Sequence, residues 1–119
     1  MISYNQMAPL FKALGDPIRL QIIDMLSHGE LCACDILENL SISQPTLSHH
    51  MKLLIKAELV KVERRATWAY YSLEQHTISE LHQIIDTLTH PDDTCISFKK
   101  SLPGDCEIIG QKQADEIAK

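Results

Sequence analysis

Ser41-Ile42-Ser43-Gln44-Pro45-Thr46-Leu47-Ser48-His49-His50-Met51-Lys52 opens a stretch that continues Leu53-Leu54-Ile55-Lys56 to about Ala57. Ser41-Ile42-Ser43 reads as a short turn. Ser43 suits a helix N-cap, because its hydroxyl can accept from a free backbone N–H of the first turn. Past it, Leu47, Met51, Leu54 and Ile55 share one face at 100° per residue, which turns Pro45, Ser48, His49, Lys52 and Lys56 the other way. Before the turn, residues 32–40 read as a short helix with Ile36, Leu37 and Leu40 inward. A short helix, a three-residue turn and a longer helix with a polar outer face form a helix-turn-helix signature.

Downstream, Leu59 to Arg65 alternates Val60, Lys61, Val62 and Glu63, and Trp68-Ala69-Tyr70-Tyr71-Ser72-Leu73 is rich in strand-forming aromatics. Two such runs about Ala66-Thr67 predict a β-hairpin, although the usual Gly or Asn is missing from its turn. Thr77-Ile78-Ser79-Glu80 has the form of a capping box for a last helix. Its Ile78, Leu81, Ile85 and Leu88 make a narrow seam suited to another helix.

Upstream, Met7, Leu10, Phe11 and Leu14 recur at helical spacing up to Gly15. Asp16-Pro17 restarts the chain, the carboxylate as cap and the proline at the first helical position. Ile18, Ile22, Ile23 and Leu26 then line a second helix closed by Gly29. The expected architecture is mainly α with a small β-hairpin: a winged helix-turn-helix, homodimeric through its first and last helices. Residues 1–89 make the DNA-binding and dimerisation domain, and residues 90–119, with Pro91, Pro103 and Gly104, a tail.

A chain of 119 residues supports one modest core. It has no run of about 18 apolar residues and no basic, apolar leader, so a cytoplasmic protein is expected. The net charge of −5 conceals an asymmetry. Between Ser41 and Leu73, five basic side chains (Lys52, Lys56, Lys61, Arg64, Arg65) face two glutamates, leaving +3 there and −8 elsewhere. One basic segment in an acidic body suits local phosphate contact. Gln44, Thr46, Ser48 and His49 are then the candidates for base edges, while His50, at the rim of the apolar face, suits a half-buried structural role as well as a DNA contact. Lys52, Lys56, Arg64 and Arg65 are the candidates for phosphate, the last two at the wing tip.

Glu30-Leu31-Cys32-Ala33-Cys34-Asp35 sets two thiols two residues apart at a helix start. Thiolates favour thiophilic ions, and a helix start lowers a thiol pKa. In a regular helix such residues stand about 200° apart, so joining both sulfurs to one ion is expected to unwind the first turn. Cys95 and Cys106 in the tail are the remaining thiols that could complete a three-sulfur site. A thiol redox switch is the alternative. An enzyme is not expected, since Cys32 or Cys34 with His28 lacks an orienting carboxylate.

Three motifs carry a resemblance: Leu14-Gly15-Asp16-Pro17-Ile18-Arg19-Leu20, Glu30-Leu31-Cys32-Ala33-Cys34-Asp35 and Ser43-Gln44-Pro45-Thr46-Leu47-Ser48-His49-His50-Met51-Lys52. Over residues 5–88 the chain resembles the arsenical-resistance repressor branch of the ArsR/SmtB metal-sensing regulators. The resemblance implies a winged-helix homodimer that represses its own resistance operon and leaves the operator when As(III) or Sb(III) binds at Cys32 and Cys34. A third cysteine found in some members falls at Leu37 here. The lead and cadmium branch adds N-terminal cysteines, and residues 1–31 have none. The zinc branch's last-helix ligands are poorly matched by Glu74-Gln75-His76, Thr87 and His90. Arsenite or antimonite is therefore preferred over cadmium, lead or zinc.

Overall fold

A computed structural model of the chain describes residues 3–90. Ser3 and Gln6 exchange side-chain and backbone bonds at 2.8 and 3.3 Å to cap α1 (Tyr4–Leu14). This helix buries Met7, Leu10 and Ala13. Phe11, on the apolar stripe of the sequence, is turned outward. Asp16 caps α2 (Pro17–Leu26) as expected, accepting from the N–H groups of Ile18 and Arg19 at 2.9 and 3.2 Å. The Arg19 N–H does most to hold this carboxyl below the usual carboxylate range, against a contrary effect of desolvation.

Past α2, Gly29 takes φ 137°, a value that a side chain would strain. The chain then enters a short strand, β1 (Leu31–Cys32), where the sequence suggested a helix start. Cys32 is extended (φ −83°, ψ 163°), and α3 covers only Ala33–Glu38. The reason is tertiary. Leu31 and Cys32 pair with Tyr71 and Tyr70, so their backbone groups are satisfied by a strand distant in sequence.

That strand belongs to the expected hairpin, β2 (Val60–Arg65) and β3 (Trp68–Leu73). The sheet is antiparallel in the order β1-β3-β2. Ala66 sits in the tight connection at φ 58°, doing without glycine. The reading helix, α4 (Gln44–Lys56), begins at its Ser43 cap. It ends in a Schellman motif: Leu59 N–H reaches Leu54 C=O at 3.0 Å and Glu58 N–H reaches Ile55 C=O at 2.9 Å. Glu58, at φ 61°, takes the place usually given to glycine. Leu54 and Leu59, fully buried, supply the apolar contact of the motif.

The last helix, α5, spans Gln75–Thr89 and so starts before Thr77. The capping box read at Thr77–Glu80 is not what opens it: Thr77 is buried inside the helix. The seam also divides. Leu81 and Ile84 enter the core, while Ile85 and Leu88 are 46% and 50% exposed. Among the described residues all five helices feed one core, with Ile22, Ile36, Met51, Leu54 and Leu59 at its centre. Each such side chain stabilises the fold by about 1.5–3 kcal/mol. No helix among the described residues is long and apolar enough to cross a membrane.

Candidate nucleic-acid interface and thiol site

The burial of Leu47, Met51 and Leu54 fixes the rotation of α4. It leaves Gln44, Thr46, Ser48, His49, Lys52 and Lys56 exposed, the face expected to meet DNA. Two of the expected contacts have other engagements. The Thr46 hydroxyl lies 2.9 Å from the Ser43 hydroxyl and belongs to the cap. His50, its side chain 12% exposed, turns toward α2. Its Nδ1 stands 3.1 Å from Arg19 Nη1 and 3.9 Å from Asp16 Oδ2. Arg19 also donates from Nε to Ala13 C=O and from Nη2 to Lys12 C=O, carbonyls at the end of α1. Arg19 thus fastens α1, α2 and α4 together, and His50 positions the reading helix instead of lying on its outer face. Arg19 was missed because its partners are 31 residues away in one direction and on the preceding helix in the other.

At the wing tip the two arginines differ. Arg64 is exposed and forms no ion pair among the described residues. Arg65 donates to both carboxylate oxygens of Glu30 at 2.8 and 2.9 Å and to Glu63 at 2.9 Å. Its guanidinium also lies 4.6 Å from the centre of the Tyr70 ring. The hydrogen bonds to Glu63 and Glu30 raise the guanidinium pKa further, and Arg65 in turn lowers that of Glu63. Arg65 is therefore not the free phosphate contact that its place in the hairpin suggested.

Cys32, buried, and Cys34, exposed, bring their sulfurs to 2.7 Å. The expected 200° separation does not arise, because Cys32 stands outside α3 as its N-cap. Joining both sulfurs to one centre consequently needs no unwinding of the first turn. Asp35 Oδ2 accepts from the Cys32 N–H at 3.2 Å and from its thiol at 3.1 Å. The Cys32 pKa is raised, chiefly by the hydrogen bond to Cys34, with the Asp35 carboxylate and burial adding to it and the Asp35 and Cys34 backbone N–H groups opposing it. These neighbours outweigh the helix start, reversing the expected direction. Asp35 and Glu30, which the sequence reading left without a role, both act through this strand end.

Among the described residues no group of three or more His, Cys, Asp or Glu side chains is gathered to hold a metal ion. The two sulfurs nonetheless suit a thiophilic centre, since soft donors stand side by side with one face open. Cys95 and Cys106 lie outside the described residues.

The sequence pattern of bacterial regulatory proteins of the arsR family matches residues 16–62. The chain is similar to the arsenical resistance operon repressor of Staphylococcus xylosus, at 42% identity over 88% of this chain and 100% of that protein. It is 40% identical to the repressor of the same name from Staphylococcus aureus, with the same coverage. Among solved structures, it is similar to the homodimeric winged helix-turn-helix DNA-binding domain of a possible ArsR-family regulator from Mycobacterium bovis. The TM-score is 0.60 and the identity 28%, over 71% of this chain and 78% of that one.

Proposed function

The chain belongs to the arsR family of bacterial regulatory proteins and is a metalloid-responsive transcriptional repressor; we propose that As(III) or Sb(III), held by Cys32 and Cys34, releases it from its operator. The observation that carries this reading is the side-by-side placement of the two sulfurs at the joint between the sheet and α3. The protein works as a homodimer in the cytoplasm, where such thiols stay reduced. Phe11, Ile85 and Leu88 supply exposed apolar surface for the partner.

Gln44, Ser48 and His49 read base edges, while Lys52, Lys56 and Arg64 hold phosphates. As(III) or Sb(III) would be held by the thiolates of Cys32 and Cys34, with Cys95 and Cys106 the candidates for a third sulfur. Cys32 is both the end of β1 and the cap of α3, the supporting helix of the DNA reader. Tying its sulfur to Cys34 removes the thiol donor from Asp35 and so alters the start of α3. That helix packs on β1 and β3, and its buried Ile36 shares one core with Leu47, Met51 and Leu54 of α4. The change at the cap thereby reaches the seat of the reading helix.

The test is a mobility-shift titration on an operator probe with four single replacements, Cys32→Ser, Cys34→Ser, Cys95→Ser and Cys106→Ser. The first two bind operator normally but resist arsenite. The replacement that removes the third sulfur weakens the arsenite response without abolishing it. Full arsenite release in Cys34→Ser refutes the mechanism.

A further inference from the structure

The thiol strand and the wing share one row of side chains. Cys32 pairs with Tyr70, and Tyr70 pairs with Glu63 on its other side. Paired residues project to the same face of a sheet, and so do residues two apart on one strand. Arg65, two after Glu63 on β2, therefore stands over that row, and Glu30, just before β1, reaches it through its carboxylate. Arg65 crosses it, stacking on Tyr70 at 4.6 Å, and closes on both oxygens of Glu30.

We infer that Glu30 is a positioning residue through which the thiol pair governs the wing, by holding the Arg65 guanidinium away from operator phosphate. The inference rests on the thiol-sensing reading above. Glu30 occupies Nη1 and Nη2, two of the donors a phosphate would take from the same fork. Glu30 and DNA thus compete for one group. How firmly Glu30 holds depends on β1, a strand of two residues whose place is set by Leu31 and Cys32. Joining Cys32 to Cys34 ties the end of β1 to α3 and keeps Glu30 seated on Arg65. By linkage, a ligand that strengthens this hold weakens operator binding, and operator weakens ligand binding by the same factor.

Glu30→Gln and Glu63→Gln in the full-length chain separate this from simple charge removal. Each deletes one carboxylate from Arg65, but only Glu30 precedes the thiol strand. Both variants bind operator about two- to fivefold more tightly without arsenite, the scale of an exposed ion pair. The deciding readout is the ratio of operator Kd with and without saturating arsenite. It falls in Glu30→Gln and keeps its wild-type value in Glu63→Gln. An unchanged ratio in Glu30→Gln, or an equal fall in both variants, overturns the inference. Protection of the wild-type thiols from a colorimetric thiol reagent by arsenite is measured alongside. Absence of protection overturns the thiol-sensing reading itself. The arsenite-free affinities then still decide the competition, which fails if Glu30→Gln binds no tighter than wild type.

Discussion

Replacing Arg64 by alanine should flatten the salt dependence of operator binding more than replacing Arg65. The two residues are neighbours at the wing tip with the same formal charge, so sequence makes them equivalent. The structure separates them: Arg64 is exposed and has no ion pair among the described residues, whereas Arg65 is shared between Glu30 and Glu63. Each phosphate neutralised contributes about 0.9 to the slope of log K against log salt. A dimer uses Arg64 twice, so Arg64→Ala should reduce the slope by about 1.8. Between 50 and 200 mM salt, wild type should therefore lose about twelvefold more affinity than Arg64→Ala. Arg65→Ala should reduce the slope by clearly less, because its charge is already balanced and phosphate must displace a carboxylate. Fluorescence anisotropy on a labelled operator duplex across a salt series gives both slopes. Equal flattening in the two variants would show that the Glu30 and Glu63 contacts do not restrain Arg65, and no flattening in Arg64→Ala would remove the wing from the DNA.

Glu58→Gly should raise stability by about 1 kcal/mol, since the left-handed conformation costs a non-glycine residue about 1–2 kcal/mol and glycine gives back part of this in unfolded-chain entropy. Glu58→Ala keeps the strain, so thermal melts in which Gly and Ala variants coincide would contradict the φ of 61°. The thiol of Cys32 should titrate above the ordinary range of about 8.5, because the hydrogen bond to Cys34, with the Asp35 carboxylate, favours its protonated form. A folded-state pKa raised in this way contributes stability below the unfolded value and loses it as pH rises through the folded value. Alkylation rates of the Cys34→Ser variant between pH 7 and 10 should show a smaller rise, since the largest cause is removed; a Cys32 midpoint below 8 in the wild-type chain would oppose the geometry. Leu88→Glu should dissociate the dimer while leaving the monomer folded, whereas the same charge at the buried Leu81 should unfold it. Sedimentation with circular dichroism distinguishes these outcomes, and a Leu88→Glu dimer of undiminished affinity would place the interface elsewhere.

Much of the fold is legible because its signals are local. Ser43 and Asp16 are caps, the apolar stripe of α4 fixes its buried face, and alternation with aromatics marks the hairpin. The thiol pair and the exposed face of α4 follow from the same short-range patterns. Other features depend on groups distant in sequence. Residues 31 and 32 form a strand only because β3 offers backbone partners, and that one pairing takes Cys32 out of the helix and brings its sulfur beside that of Cys34. His50 is drawn inward by Arg19, 31 residues away, and Arg65 is captured by Glu30, 35 residues away. A periodicity counts neighbours along the chain, and so it set the faces of the elements. Which polar groups meet across those elements, and hence which charges remain free for DNA, was decided only when the sheet and helices packed.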